Sequence, residues 1–298
     1  MPPRIALVTP SFNQAPFLED ALRSIHDQGY PSLEHVVIDG GSGDGSAAIL
    51  ERWGGRLAHW RSEPDGGQYD AINRGFARTT GEVMGWLNAD DQHAPWTLAL
   101  VGELFEAFPE VQWLTTQYPL IFDERGRAVQ TGYGGGFNGA SFRRGGNLPG
   151  RGWFATGFIQ QESTFWRRSL WERAGGRLDA SLRLAGDFEL WHRFFAHAPL
   201  HAVAAPLAGF RRHGGQKTAL AFDAYLAEAE AVLRRDGTRP YGRAESAFRR
   251  AVWTCFGGRP LVRMPRRAAA ALTATGVLRP APVLAWKSGW RTTVDYVV

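Results

Sequence analysis

Ile5-Ala-Leu-Val-Thr9 is a short apolar run, and the turn residues Pro10-Ser-Phe-Asn13 follow it at once. This pattern predicts a buried strand that ends at the turn. Apolar side chains then recur at helical spacing as far as Ile25, and Leu33 to Asp39 predicts a second strand. A strand, a helix and a strand at this spacing predict a parallel sheet with right-handed crossovers.

The next block of sequence repeats this pattern. Val83-Met-Gly-Trp-Leu87 reads as another apolar strand, and Asn88-Ala-Asp90-Asp91 follows it directly. Residues 95–108 have the spacing of an amphipathic helix, and Val111 to Thr115 reads as a further strand. Functional groups of parallel sheets gather at the carboxyl ends of the strands. Asp39 and the Asp90-Asp91 pair stand at such ends, so we expect them to share one edge of the sheet.

Composition limits the class of protein. The chain has 298 residues, of which 44% are hydrophobic and 21% charged, so it can bury an ordinary core and is not a disordered chain. Its single cysteine, Cys255, excludes an internal disulfide, and a reducing compartment is the simplest interpretation. The apolar run from Ala268 to Leu278 is shorter than the roughly 20 residues that a membrane span needs. We therefore expect a cytoplasmic protein, soluble or peripheral on the inner face of the membrane.

The net charge of +5 is unevenly distributed. Residues 243–298 carry +8, which leaves −3 on the rest of the chain. A boundary near Asp236 separates a body from a basic, mainly helical C-terminal extension, 236–298. A basic tail that includes Arg249 and Arg263 favours an anionic membrane surface as partner. The alternative is an arginine-rich solvated surface.

The adjacent carboxylates Asp90 and Asp91 are costly after a buried strand unless something compensates them. A divalent cation with a diphosphate would do so, since Mg²⁺ or Mn²⁺ takes one or two carboxylates and completes its shell with phosphate oxygens and water. Alternatively, Asp90 caps the next helix and Asp91 is solvated. Asp39 could accept hydrogen bonds from a base or ribose, or could simply begin a tight turn. No GxGxxG follows the first strand, which disfavours a nicotinamide-dependent dehydrogenase.

Asp187 begins the helical stretch Asp-Phe-Glu-Leu-Trp-His-Arg. It could be a helix N-cap or a general base that takes a proton from an attacking hydroxyl. Glu189 is a weaker candidate because it points about 200° away around a helix. His213-Gly-Gly-Gln-Lys217 combines a histidine that could bind metal with a lysine that could bind phosphate, in a loop that could equally be only solvated.

Four motifs in this order carry a family resemblance: Thr9-Pro-Ser-Phe-Asn13, Val37-Ile-Asp39-Gly-Gly-Ser42, the stretch Asp65 to Arg74, and Gly81-Glu82 leading to Asp90-Asp91. From about Arg4 to Thr218 the chain resembles an inverting GT-A glycosyltransferase of the family 2 type, in a subgroup that builds bacterial surface polysaccharides and exopolysaccharides. The resemblance implies an α/β fold with a Rossmann-like, mixed but mainly parallel sheet flanked by helices. The helical C-terminal extension would follow that fold.

The resemblance also implies roles for individual residues. Contacts to a nucleotide sugar are implied for Pro10, Phe12, Asn13, Asp39, Asp65, Asn73, Arg74, Asp90 and Lys217. Asp91 would be the principal ligand of Mn²⁺ or Mg²⁺ and His213 a further one, while Asp187 would be the base. The family motif often reads Glu-Asp, and Gly186 stands where the Glu would be. Position alone suggests acceptor contacts for Gln161, Glu162 and Trp191.

The implied function is metal-dependent, inverting hexosyl transfer from a nucleoside-diphosphate sugar to a hydroxyl of a saccharide or lipid-linked acceptor, in surface polysaccharide or glycolipid assembly. Residues 1–235 would form the catalytic domain, with 1–115 binding the nucleotide and 116–235 the acceptor. The alternative is a non-catalytic protein that binds carbohydrate or nucleic acid through its 12 tryptophans and basic tail. We expect no nucleic-acid partner. A nucleotidyltransferase is disfavoured because no Gly-rich loop with Lys or Arg follows the first strand.

Overall fold

A computed structural model describes residues 1–148, 158–216, 221–235, 237–255 and 266–297. The strands are β1 Ile5–Ser11, β2 Leu33–Asp39, β3 His59–Ser62, β4 Val83–Trp86, β5 Gln92–His93, β6 Trp113–Thr116, β7 Leu120–Phe122, β8 Ala128–Thr131, β9 Phe165–Arg167, β10 His201–Val203, β11 Ala208–Arg211, β12 Arg279–Trp286 and β13 Trp290–Val297. The helices are α1 Ala15–His26, α2 Ser46–Trp53, α3 Gln68–Phe76, α4 Thr97–Ala107, α5 Gly139–Arg143, α6 Arg168–Arg173, α7 Gly186–His197, α8 Phe222–Arg235, α9 Arg243–Cys255 and α10 Arg266–Ala274, with 3₁₀ turns at Gly54–Arg56 and Gln161–Ser163.

A nine-stranded sheet in the order β13-β12-β10-β6-β9-β4-β1-β2-β3 forms the centre of the protein. The neighbours β3, β2, β1 and β4 run parallel, as do β6, β10 and β12. Only β9 and β13 run antiparallel to their neighbours in the part of this sheet that the structure describes. The predicted mixed, mainly parallel α/β architecture is therefore confirmed.

Strand β1 shows why this sheet is covered on both faces. All seven of its residues are buried, and the first four alternate between two hydrophobic clusters. Ala6 and Val8 pack in the cluster with helices α3 and α7, whereas Ile5 and Leu7 pack in the cluster with helix α4. A parallel strand between two helical layers needs apolar residues at every position, which explains the unbroken apolar run.

A second, four-stranded sheet lies in the order β5-β11-β7-β8. Strand β5 follows Asp91 directly and pairs antiparallel with β11, which ends at Arg211. This pairing joins positions more than a hundred residues apart and brings the loop after β11 beside the Asp90-Asp91 turn. The sequence analysis predicts neither strand, because each is only a few residues long.

The C-terminal region corrects the expectation of a helical extension. Helices α9 and α10 lie within it, but the chain then forms the β12–β13 hairpin, and β12 joins the central sheet through Val283 and Leu284. Pro280 and Pro282 interrupt this stretch of the sequence and hide the strand. Both prolines lie outside the two positions that pair with β10.

The basic tail gains no support as a membrane-binding surface from Arg249. Its side chain is buried, forms an ion pair with Glu245 at 3.1 Å and lies over the ring of Tyr241. Arg263 lies outside the described residues, and the membrane contact of the tail stays a prediction. No helix in the described ranges is both long and apolar enough to cross a membrane.

Gly81 shows how closely the chain approaches β1. A Cβ atom at Gly81 would lie 2.6 Å from the backbone nitrogen of Ala6 and 2.9 Å from the carbonyl oxygen of Arg4. Backbone atoms of a buried strand cannot move aside cheaply. We therefore expect Gly81→Ala to lower the free energy of unfolding by about 2 kcal/mol in urea denaturation.

Gly55→Ala is the matched control, because nothing lies within 4 Å of a Cβ at that exposed position. It should change stability by less than about 0.5 kcal/mol. Equal effects of the two substitutions would contradict the packing argument.

Candidate functional site

The loops after β1 and β2 are tied together around Asp39. Its buried carboxylate accepts hydrogen bonds from the backbone N–H of Ser42 (2.9 Å), the Ser42 hydroxyl (2.6 Å) and the Ser62 hydroxyl (2.7 Å). Asn13 adopts a positive φ of 53°, and its N–H donates to Oγ of Ser42 while its Oδ1 accepts from Gly43. Asparagine tolerates this left-handed conformation better than most residues. Asp39 and Asn13 therefore shape these loops, and Asp39 already has its hydrogen bonds supplied by the protein.

An exposed aromatic ring and a carboxylate meet above these loops. A Cβ atom at Gly40 would lie 3.2 Å from Oδ2 of Asp65 and 3.2 Å from Cδ2 of Phe12, so both side chains flank Gly40 closely. The Phe12 ring is 55% exposed although it is large and apolar. A ring that bases can stack on, beside a carboxylate that accepts hydrogen bonds, suits a nucleoside. Pro10, by contrast, is buried within β1 opposite Ile38.

Helix α3 places the next two predicted contacts differently. The side-chain amide of Asn73 donates to the carbonyl of Leu178 (3.0 Å) and accepts from its N–H (2.8 Å), so it joins two segments of the protein. Arg74 forms an ion pair with Asp70 at 2.8 Å. Asn73 thus binds the backbone of Leu178, and its contact with a nucleotide stays a prediction.

The two adjacent carboxylates after β4 have different environments. Asp91 is buried, and its oxygens accept from the N–H of Arg211 (2.9 Å) and the amide of Asn88 (3.3 Å). Burial first, and then the charges of Asp90 and Glu162, raise the pKa of Asp91 well above its ordinary range. Asp90 remains partly accessible, and its Oδ2 lies 3.0 Å from Nε2 of His213.

His213 therefore faces Asp90 and not Asp91. Its Nδ1 accepts a hydrogen bond from the N–H of Gly215 at 3.2 Å, so in the neutral ring Nε2 carries the proton and donates to Asp90. In the part of the chain that the structure describes, no group of three or more His, Cys, Asp or Glu side chains is arranged to hold a metal ion. Binding of Mn²⁺ or Mg²⁺ by Nε2 requires this proton to move to Nδ1 and the Gly215 hydrogen bond to open. In that tautomer the carboxylate and the imidazole fit such an ion, which completes its shell with phosphate oxygens and water. Lys217 lies outside the described residues.

Arg211 supports the Asp90-Asp91 turn, a role that the sequence patterns above do not predict. Its buried guanidinium donates to the carbonyls of Asp90 (2.8 Å) and Glu124 (3.0 Å) and contacts Asp20 at 3.1 Å. It also lies 5.0 Å above the ring of Phe17. One side chain thus joins helix α1, the second sheet and the Asp90-Asp91 turn. The available signal was a cation within an otherwise apolar strand, two residues before His213.

Asp187 and Glu162 complete a group of carboxylates. Asp187 stands in the first turn of α7, where its Oδ1 accepts from the N–H of Phe188 at 2.7 Å, and burial followed by the charge of Glu228 raises its pKa to about 6. Burial, with smaller contributions from the charges of Asp187 and Asp90, raises the pKa of Glu162 to about 8. The Oε1 atom of Glu162 is buried and finds no hydrogen-bond partner among the described residues. The charges of Asp187 and Asp90 act on Glu162, and the charge of Glu162 acts on Asp91, so the four carboxylates lie near one another around Glu162.

Tyr69 gives a physical reason for Gly186 at the position where the family often has Glu. A Cβ atom at Gly186 would lie 2.6 Å from ring carbons of Tyr69. The Tyr69 hydroxyl donates to the carbonyl of Leu184 (2.7 Å) and accepts from the N–H of Gly186 (2.9 Å). The tyrosine therefore occupies the space that a larger side chain at 186 would need.

All three predicted acceptor contacts are buried. Trp191 is 1% exposed and lies between the rings of Trp86 and Trp113, at 5.8 and 5.5 Å. The prediction for Trp191 is wrong, because this ring belongs to the core that supports α7. Gln161 is also buried and donates to the carbonyl of Trp86 at 2.6 Å. Only Glu162 of this set reaches the carboxylate group.

The comparisons with known proteins agree with this geometry. The model of the family described as glycosyl transferase family 2 matches residues 6–162, from β1 to the 3₁₀ turn that carries Glu162. This match covers more than half of the chain. The chain belongs to glycosyltransferase family 2.

Curated relatives match over a shorter region. An uncharacterized glycosyltransferase of Mycobacterium tuberculosis (strain H37Rv) is 42% identical over 91 residues, which are 30% of this chain and 35% of the relative. TuaG of Bacillus subtilis, named as a teichuronic acid biosynthesis glycosyltransferase, is 30% identical over 93 residues, 30% of this chain and 37% of the relative. The matched region thus spans little more than a third of these relatives.

Two solved structures share the fold over most of the chain. S. aureus TarS 1-349, in complex with UDP-GlcNAc, aligns with 77% of this chain and 65% of its own, at a TM-score of 0.60 and 16% identity. The mannosyltransferase PcManGT of Pyrobaculum calidifontis, in complex with GDP-Man and Mn²⁺, aligns with 93% of this chain and 81% of its own, at a TM-score of 0.56 and 21% identity. At these identities the likeness shows the fold.

The raised pKa of Asp187 predicts a measurable dependence of stability on pH. An unfolded Asp ionises near pH 4, whereas folded Asp187 keeps its proton until about pH 6. Ionisation of Asp187 therefore favours the unfolded chain. The free energy of unfolding should fall as the pH rises from about 4 to about 6. Asp187→Asn keeps the oxygen that accepts from Phe188 and should raise the free energy of unfolding by up to about 3 kcal/mol at pH 8.

The gain should fall to about 0.5 kcal/mol near pH 4, where folded Asp187 is protonated and the unfolded Asp is about half protonated. Urea denaturation at both pH values, without metal, measures it. Asp27→Asn, at an exposed carboxylate after α1, is the control and should give no such gain. A gain from Asp187→Asn that is equal at both pH values would contradict the assignment.

Proposed function

We propose that this protein transfers a sugar from a nucleoside diphosphate to an acceptor hydroxyl, with inversion at the anomeric carbon. The observation that carries the proposal is that Asp90, Asp91 and Asp187, at the end of β4 and the start of α7, lie near the buried Glu162. Three of these carboxyls have raised pKa values, and groups perturbed in this way cluster at functional sites. Membership in glycosyltransferase family 2 supports the same conclusion.

The nucleoside would bind at the loops after β1 and β2. The exposed Phe12 ring supplies a surface for the base, and Asp65 can accept hydrogen bonds from base or ribose. Asp39 and Asn13 would act indirectly by holding these loops together. We expect the diphosphate between this end and the Asp90-Asp91 turn, and the position of β1 between β2 and β4 supports this expectation.

Asp90 and His213 are the side chains that we assign to a divalent cation. They face each other at 3.0 Å, whereas both oxygens of Asp91 already accept hydrogen bonds from the protein. When bound, Mn²⁺ or Mg²⁺ would offset the charge that develops on the departing diphosphate. Asp91 would then shape the turn that presents Asp90, which exchanges the roles that the sequence implies for these two residues.

Asp187 is the base in this proposal. A carboxylate with a pKa of about 6 is ionised at neutral pH and is more basic than an ordinary aspartate, which suits removal of a proton from a hydroxyl. The acceptor oxygen forms a bond to the anomeric carbon as the bond from that carbon to the diphosphate oxygen breaks. The proton of the acceptor passes to Asp187, and the nucleoside diphosphate leaves as an anion.

The acceptor class follows from the relatives and not from the cleft. The name of TuaG refers to teichuronic acid, and UDP-GlcNAc and GDP-Man in the structural neighbours are both hexose donors. These names support hexosyl transfer to a saccharide or lipid-linked acceptor in surface polysaccharide assembly. A purely carbohydrate-binding protein would have no use for several buried carboxylates beside one another, because they destabilise the fold.

We expect a nucleoside diphosphate to bind more tightly with Mn²⁺ present, and Asp90→Asn to remove that difference. Calorimetry with UDP and GDP, with and without MnCl₂, measures it for wild type and for the control Asp27→Asn.

In a panel of nucleotide sugars, Asp187→Asn should retain nucleotide affinity but lose about 10²–10⁴ in turnover. Equal affinity with and without Mn²⁺ would exclude the metal assignment, and wild-type turnover of Asp187→Asn would exclude this base.

Phe12→Ala should weaken UDP and GDP binding about tenfold, since a stacked base contributes about 1–3 kcal/mol. Trp286→Ala is the control, because Trp286 is 64% exposed but lies at the opposite end of the central sheet. Unchanged affinity in Phe12→Ala would place the base elsewhere.

A further inference from the structure

Glu228, on helix α8, binds the backbone that leads into Asp187. Its carboxylate accepts hydrogen bonds from the N–H groups of three successive residues: Arg183 (3.1 Å), Leu184 (2.9 Å) and Ala185 (2.9 Å). Hydrogen bonds to a charged acceptor are stronger than neutral ones. A side chain more than forty residues away along the chain thus holds the entry to α7.

Tyr69, on helix α3, binds the same segment. Its hydroxyl binds the carbonyl of Leu184 and the N–H of Gly186, and its buried ring fills the space beside Gly186. Glu228 and Tyr69 together fix backbone groups of four consecutive residues, 183–186. Asp187 is the next residue, and the one hydrogen bond found for its carboxylate among the described residues comes from the N–H of Phe188. Its position is therefore set mainly by its backbone.

Both oxygens of the Glu228 carboxylate accept from these N–H groups. A glutamine would offer one acceptor oxygen and turn an NH₂ donor toward a backbone N–H, so the carboxylate fits the task at the cost of a negative charge near Asp187. Glu228 raises the pKa of Asp187, adding to the larger effect of burial. The negative charge is favourable to the N-terminus of α7 but unfavourable to ionisation of Asp187.

We propose that Glu228 is a positioning residue of the sugar-transfer reaction, which fixes the segment 183–186 so that Asp187 points to the acceptor hydroxyl. The inference rests on the function proposed above. It adds a residue from α8 that neither the family resemblance nor the comparisons assign.

The pH profile of kcat is set by the pKa of Asp187, on which the charged groups of each neighbouring element act. Glu162 faces it from the 3₁₀ turn, Tyr69 from α3, and Tyr225 with Glu228 from α8. Both tyrosines are neutral at ordinary pH, because burial raises their pKa values well above the usual range. On its own helix, Glu189 is paired with Arg193 at 2.7 Å. Glu228 is therefore the charge near Asp187 that a substitution can remove without altering the carboxylates of the cleft.

The test compares Glu228→Gln with Asp223→Asn in the full chain. Both remove one negative charge from α8, but Asp223 is exposed and in the first turn of the helix. Glu228→Gln should lower kcat about 10- to 100-fold through misplacement of Asp187, with KM for the nucleotide sugar unchanged. The acid limb of the kcat profile should move to lower pH, because Asp187 loses a neighbouring negative charge. Asp223→Asn should resemble wild type in every measurement.

Tyr69→Phe separates position from charge and serves if Glu228→Gln folds poorly. It removes two hydrogen bonds of the same segment without a change of charge, so kcat should fall while the acid limb stays in place. Wild-type kcat in both Glu228→Gln and Tyr69→Phe would overturn the proposal.

Two measurements do not depend on turnover and distinguish this proposal from the function itself. Amide hydrogen exchange at residues 183–185 should be faster in Glu228→Gln than in Asp223→Asn, and a carboxyl NMR titration should show a lower pKa for Asp187. If both hold but the wild-type chain turns over no nucleotide sugar, the proposed function fails and the contact stands. If exchange and pKa are both unchanged, Glu228 has no positioning role.

Discussion

Burial of several carboxyl groups near one another is the constraint on which the rest of this structure depends. Burial raises the pKa values of Asp91, Glu162 and Asp187, and the nearby charges of Asp90 and Glu228 raise them further. Such groups keep their protons or move apart, so rigid elements are needed to hold them together. The surrounding fold supplies those elements from every direction. The rigid surroundings keep the carboxylates where a cation and a polyanionic leaving group can use them.

The supports come from segments far from the carboxylates in sequence. Arg211 reaches the Asp90-Asp91 turn from the second sheet, and Glu228 reaches the approach to Asp187 from α8. Beneath α7, the rings of Trp86, Trp113 and Trp191 stack and leave the helix little freedom to shift. Large aromatic rings suit this task because they bury much area with few rotatable bonds. Stability contributed by the core thus offsets the cost of the site.

Local patterns were sufficient for much of the fold. The apolar runs at β1, β2 and β4 predict strands because a parallel strand between two helical layers needs apolar residues on both faces. Local patterns are insufficient where a strand forms only because a distant segment pairs with it. Strands β5 and β11 are too short to show an alternation of apolar and polar residues. Strand β12 contains Pro280 and Pro282, which are unusual in strands. Trp191 looked accessible in sequence only because helical spacing does not say which neighbours cover a face.

The strand ends that carry Asp39, Asp90 and Asp91 can be read from local patterns, since chain direction and the apolar runs fix which residues leave the sheet at its carboxyl edge. The sequence also singled out Asp187, as the first carboxylate of a helix. The hydrogen-bond partners of these groups depend on the tertiary structure. His213 faces Asp90, Asp91 accepts from the N–H of Arg211, and Asn73 binds Leu178. The physical reason is that a hydrogen bond depends on a few ångströms in space. Residues a hundred or more positions apart acquire that proximity only when the whole chain has packed.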